Sequence, residues 1–170
     1  MTTRRKVLTF AGTAGAAFAL GFAPGSRATT LSGAARAALD ESEVIYLTPL
    51  KSNGEESRCH GEVWFAHDAG DVFVVTAAGA WRAKAVGQGL VHARIWVGEF
   101  GVWSSAGEKY RTAPQLEVVG SIETAADVRE RALEALGRKY RMEWVVWGPR
   151  FRNGIADGSR VLLRYRQRDV

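Results

Sequence analysis

The sequence predicts a mainly β protein, a barrel or sandwich of six to seven strands with a late helix packed over an opening. Two observations carry this. Short β-branched and aromatic runs recur at about ten-residue spacing, within the range of all-β domains. Turn signals such as Ser52-Asn53-Gly54 and Asp157-Gly158 separate them.

The elements follow in chain order. Glu43–Leu50 reads as a strand through Val44, Ile45, Tyr46 and Leu47. Ser57–Ala66 reads as a second, ending in Val63, Trp64 and Phe65. His67–Asp71 reads as a turn, and Val72–Thr76 as a strand buried on both faces. Ala77–Gly89 has three glycines and no period of two, which predicts a loop with one helical turn. Leu90–Val97 alternates, with His92, Arg94 and Trp96 opposite Val91, Ala93, Ile95 and Val97. Gly98–Pro114 is turn-rich, with a short strand expected around Gly101–Ser105. Gln115–Ile122 is a strand. Thr124–Tyr140 is a helix, with Thr124 as its expected N-cap and Val128, Ala132, Leu133, Ala135 and Leu136 as its apolar stripe. Met142–Phe151 fits a helix or a strand. Asn153-Gly154 reads as a turn, and Val161–Tyr165 closes the fold.

The chain has 170 residues and a formal charge of +5. Arg4, Arg5, Lys6, Arg27 and Arg36 all precede the first acidic residue, Asp40. Beyond them, 18 basic residues face 18 acidic ones. The basic balance therefore belongs to the first segment and gives no support to a nucleic-acid partner. Arg4-Arg5 before an Ala/Gly-rich stretch to Phe22 reads as a twin-arginine export signal. Val7–Phe22 is short for a membrane span, which needs about 20 apolar residues. Ser26-Arg27-Ala28 and Ala35-Arg36-Ala37 both suit cleavage, and the second is favoured. The expected division is 1–37, a cleaved signal, and 38–170, one domain. The product would be exported, periplasmic or extracellular, without stable membrane association. Cys59 is the only cysteine, so packing or a bound ligand must stabilise the domain without an intrachain disulfide.

The most suggestive constellation is Thr76 through Lys84. A strand ends in a hydroxyl, small residues follow, and Arg82 and Lys84 come next. Small residues admit backbone amides to an anion, Arg clamps phosphate bidentately, and Lys adds a point charge. The plain alternative is a solvated loop with two surface cations. His60, His67 and His92 do not have metal-ligand spacing. His67 is expected in a solvated turn, while His60 and His92 are candidates to face each other across strands. No metal site is expected.

Three stretches resemble the FMN-binding split-barrel superfamily, which includes pyridoxamine 5′-phosphate oxidase and the deazaflavin-dependent reductases. They are Arg58–Phe65, Val72–Lys84, and the helix ending Lys139-Tyr140 with its following strand. The likeness spans about residues 43–166 and runs to small bacterial members. It implies a split β-barrel with one or two helices packed on it, and a homodimer with flavin between subunits. It also implies that Arg58, Thr76, Arg82 and Lys84 hold a flavin phosphate, with Trp81 against the ring. The chain departs from the oxidase pattern at Val63, where a Lys is usual, and at Trp81, where a cation is common. Of the six tryptophans, Trp81 is the best ligand candidate, and the plain reading of the others is core or interface. The implied function is an exported FMN- or deazaflavin-dependent oxidoreductase acting on a small organic molecule. The alternatives are a non-catalytic flavin- or haem-binding module and a carrier for an apolar ligand. The catalytic residues are not identified by sequence.

Overall fold

The computed structural model describes residues 33–168. The twin-arginine reading falls on Arg4 and Arg5, outside the described residues.

Seven strands form one antiparallel sheet: β1 Val44–Pro49, β2 Gly61–Trp64, β3 Ala66–Asp68, β4 Asp71–Ala77, β5 His92–Val97, β6 Gln115–Ile122 and β7 Arg160–Gln167. Their order across the sheet is β2-β1-β5-β6-β7-β4-β3. β2 and β3 stand at opposite ends of that order, yet only Phe65 separates them in the chain. One extended segment thus pairs with β1 through its first half, Trp64 opposite Val44. It pairs with β4 through its second, Ala66 opposite Phe73. The sheet is thereby wrapped into a nearly closed barrel, which removes most of its exposed edge.

The closure is incomplete. β2 ladders only to β1, and Val74–Ala77 of β4 ladders only to β7. Between these two stretches the barrel is split.

Strand alternation sorts the side chains. Ile45, Leu47, Phe65, Val72, Val74, Ile95, Val97, Leu116, Val118, Leu163 and Tyr165 fill the interior. The expected division of Leu90–Val97 into two faces holds, since Ala93, Ile95 and Val97 point into this core and Trp96 packs outside it. Helix α1, Gly33–Glu41, adds Ala35 and Leu39 to the interior, and α2, Trp81–Gly87, packs Val86 against it. The outer face of β3, β4 and β7 packs against the two long helices, α4 Ala126–Lys139 and α5 Arg141–Ala156. That layer buries Phe73, Leu162, Leu133, Leu136, Tyr140 and Phe151.

Several local expectations change. β2 begins at Gly61, not Ser57, and the turn before β4 is only Ala69-Gly70, both at positive φ of 51° and 87°. Two consecutive left-handed residues suit the twist of a tight hairpin, so His67 and Asp68 stay in β3. Ala77–Gly89 holds a two-turn helix, Trp81–Gly87, where a loop with one helical turn was expected. The short strand expected near Gly101–Ser105 is helix α3, Trp103–Ala106, followed by a 3₁₀ turn, Lys109–Thr112. Side chains from the barrel hold this segment. The Tyr46 hydroxyl accepts the Phe100 N–H at 2.9 Å and donates to the Gly101 carbonyl at 2.5 Å, while Glu62 accepts the Trp103 N–H at 3.0 Å.

Thr124 does not cap α4. Ala125 occupies the N-cap, and Glu123 accepts the N–H groups of Thr124 and Ala125 at 2.8 and 2.9 Å. Met142–Phe151 is helical, and Asn153-Gly154 lies inside α5 instead of forming a turn.

Candidate functional site

The split between β2 and β4 is where the fold offers a site. At one end, Phe65 changes pairing partners and so loses regular ladder bonds. The Tyr140 hydroxyl, at the α4–α5 junction, accepts the Phe65 N–H at 3.0 Å and lies 3.1 Å from the Phe65 carbonyl. It also donates to the Glu43 carbonyl at 2.5 Å. Burial raises the Tyr140 pKa well above the usual phenol value, so it remains a donor at neutral pH.

The Tyr140 ring stacks on Trp64, with centroids 4.6 Å apart and planes 12° apart. Trp64 meets Trp147 edge-on at 6.2 Å, and Trp147 meets Phe151 at 5.8 Å. This aromatic run from β2 to α5 walls a cavity of about 300 Å³, completed by Val63, Val75 and Arg160. Such a volume is at the small end of ligand pockets.

Arg160 is its cation. The guanidinium carbon lies 5.2 Å from the Phe151 ring centroid, over that ring. Gly154 permits this placement, since a Cβ there would come within 2.7 Å of the Arg160 Cδ. Among the described residues no carboxylate pairs with Arg160, in contrast to two other half-buried arginines. Arg94 bridges Glu56 and Glu117, and Arg164 bridges Asp71 and Glu123. An unpaired guanidinium in an aromatic cleft keeps its donors for an anion.

At the other end of the split, Arg82 donates to the Thr76 hydroxyl at 2.9 Å. Its Nη2 also lies against β2, 3.2 Å from where a Gly61 Cβ would stand. Arg82 therefore bridges the separated strands β4 and β2. One of its five N–H donors is committed to Thr76.

The residues expected to act together thus divide. Thr76 and Arg82 are brought into contact. Lys84 is exposed, two residues further along α2, and residues so spaced on a helix point apart. Trp81 opens α2 and is 40% exposed, away from the walls of the cavity. Arg58 is exposed on a bend before β2 rather than within a strand.

The histidines differ from expectation. His60 and His92 do not face each other, because β1 lies between β2 and β5. His60 instead bonds the buried Thr48 hydroxyl at 2.6 Å and packs against Trp103. His67 is half-buried in β3 and bonds Asp40 at 3.1 Å. Among the described residues no cluster of His, Cys, Asp and Glu could hold a metal.

Sequence reasoning missed Arg160 and Phe151, and it ranked Trp147 behind Trp81. Their meeting depends on α5 folding back over β7, and Met142–Phe151 carried no decisive period.

No family model matches the sequence, and no curated protein matches it. Solved structures do. The heme storage protein HutZ of Vibrio cholerae superposes with a TM-score of 0.53 at 13% identity, covering 79% of this chain and 88% of that one. A candidate pyridoxamine 5′-phosphate oxidase of Listeria innocua gives 0.51 at 15%, covering 79% and 90%. A heme-binding protein of Mycobacterium smegmatis gives 0.53 at 12%, covering 78% of this chain and 49% of that one. At such identities the likeness speaks for architecture, and with the strand order and the open seam it gives one conclusion: this chain is a split β-barrel.

Proposed function

We propose that the protein binds a planar, anionic cofactor in the cleft between β2 and β4. The observation that carries this is the unpaired Arg160 in an aromatic-walled cavity. Such a cavity suits a flat ring, and a fixed cation suits a phosphate or carboxylate beside it. The structural neighbours named for pyridoxamine phosphate oxidation and for heme support this class of ligand.

Among such cofactors we favour FMN or a deazaflavin, with haem as the second reading. A bound flavin would supply hydride transfer to or from a small organic molecule. This chain's own part is to bind and orient. Trp64, Trp147 and Phe151 would cover the ring, and Arg160 would meet the anion. Thr76 and Arg82 would do so from the other end, using the four N–H donors Arg82 has left. Arg58, Lys84 and Trp81 could join only from loops or a helix face at the rim, or in a homodimer. Export by the twin-arginine route would suit a domain loaded with its cofactor before translocation.

Titration of the purified protein with FMN, a deazaflavin and haem, followed by fluorescence quenching or absorbance, tests the reading. Arg160→Ala should weaken the ligand that binds by about 1.5–3 kcal/mol, the scale of a charged hydrogen bond. Failure of all three to bind would overturn the proposal. Equal affinity of wild type and Arg160→Ala would remove Arg160 from the site. Replacement of Arg4 and Arg5 by lysine should block export.

A further inference from the structure

A separate cavity, of about 250 Å³, lies between α1, β3 and α4. Leu39, Ala66 and Ala135 give it apolar walls, and Asp40, His67, Arg138 and Lys139 give it polar ones. Lys139 is held in an unusual way for a lysine. Its Nζ sits 3.3 Å from the centroid of the Phe65 ring and donates to the Leu39 carbonyl at 3.3 Å. No carboxylate pairs with it among the described residues. Asp40, Glu43 and Glu99 act on it only from a distance, and Asp40 already bonds His67. Burial lowers the Lys139 pKa to about 8 against the weaker upward pull of those three acids. At that value about a tenth of the amine is neutral at pH 7, against well under about 0.1% for an ordinary lysine. The neutral amine is the nucleophile.

Arg138 lines the same cavity, and its nearest carboxylate, Glu134, stands 3.9 Å away on an exposed helix face. It is free to meet an anionic group. The His67 Nε2 is buried there without a hydrogen-bond partner, while Asp40 fixes the other ring nitrogen.

We propose that Lys139 is a covalent attachment site for a small carbonyl compound carrying a carboxylate, with Arg138 recognising the carboxylate. The Lys139 nitrogen forms a bond to the carbonyl carbon and gives up two protons. The carbonyl oxygen takes two protons and leaves as water, so that an imine results and nothing is oxidised or reduced. The cavity admits only a small molecule of this kind, and the site is independent of the cleft described above.

The full chain is treated with glyoxylate and borohydride, which reduces any imine to a stable adduct, and peptides are mapped by mass spectrometry. Lys139 should be labelled at least tenfold faster at pH 7 than Lys51, Lys84 or Lys109. Its rate should level off above pH 8. Arg138→Gln should slow labelling by glyoxylate and leave labelling by uncharged propanal unchanged. Labelling of Lys139 no faster than the three exposed lysines overturns the proposal. Equal glyoxylate rates in wild type and Arg138→Gln overturn the carboxylate specificity.

Discussion

The Tyr140 hydroxyl serves the backbone of Phe65, 75 residues away in the chain, at the one point where the barrel changes strand partners. It accepts the Phe65 N–H at 3.0 Å and stands 3.1 Å from the carbonyl. Both backbone groups belong to a residue with no solvent exposure. A hinge in the sheet has thus been made affordable by a side chain from the helical layer.

Tyr140→Phe keeps the ring stacked on Trp64 and removes only the hydroxyl. A buried N–H would then lack a partner, which costs about 1–3 kcal/mol. Urea unfolding should show a lower midpoint with an unchanged slope. A midpoint equal to wild type would mean that the seam is not held by this bond.

Stability should depend on pH above neutrality in a definite way. The Lys139 pKa is lowered to about 8 in the folded chain from an ordinary 10.5. Between those values the unfolded chain binds the extra proton, so stability rises with pH there. Tyr140 and Tyr165 act oppositely. Burial raises both, so their contribution is complete below pH 10, the ordinary phenol value, and is lost as pH climbs past it. Urea midpoints from pH 7 to 11 should therefore rise from about pH 8 and turn over near pH 10. Lys139→Met should abolish the rise and keep the fall. A flat wild-type profile from pH 7 to 10 would contradict the burial of Lys139.

What the sequence made legible follows from how local each signal was. The sequence located β1, β4, β5, β6 and β7 to within about two residues: β5 by alternation, because one buried face demands a period of two, and β4 by an unbroken apolar run that both faces bury. The helix at Thr124–Tyr140 was legible through its apolar stripe. The helix α5 was not, since its apolar residues face both ways. Trp144, Trp147 and Phe151 pack inward, while Met142 and Val145 stay exposed, at 84% and 79%. Pro149 and Gly154 inside it also mimic loop residues. The site suffered accordingly. Thr76 and Arg82 lie six apart and meet across one turn of chain, so spacing could suggest them. Arg160 meets Phe151 only through tertiary packing.

Gly137 and Gly148 are fixed by Trp144. A Cβ at Gly137 would stand 2.7 Å from the Trp144 Nε1, and one at Gly148 would stand 2.8 Å from it. The indole is further held edge-on by Phe151, with centroids 5.8 Å apart. Helix propensity alone favours Gly→Ala by about 1 kcal/mol. Gly137→Ala should nonetheless destabilise by about 1–3 kcal/mol, the cost of overpacking. Gly87→Ala, with nothing within 4 Å of its added carbon, is the control and should be neutral or stabilising. Thermal melting of both variants decides the matter, and a stabilised Gly137→Ala would sink it.

The choice between the two cleavage sites is the last consequence of the packing. The sequence favours cleavage after Ala37, yet Ala37 lies in the middle of α1. That cut would remove Ala35, which is 3% exposed within the barrel core. It would leave four residues of α1 from Ala38 on, too few to hold a helix by themselves. Yet Leu39 is 1% exposed, its carbonyl accepts from Lys139, and Asp40 bonds His67. Cleavage after Ala28 keeps all of α1. If the proposed signal is cleaved on export, the product should therefore begin at Thr29, as read by intact mass or N-terminal sequencing. A chain made from residue 38 should also melt at a lower temperature than one made from residue 29. An exported N-terminus at Ala38, with equal melting of the two chains, would show that α1 is no part of the mature fold.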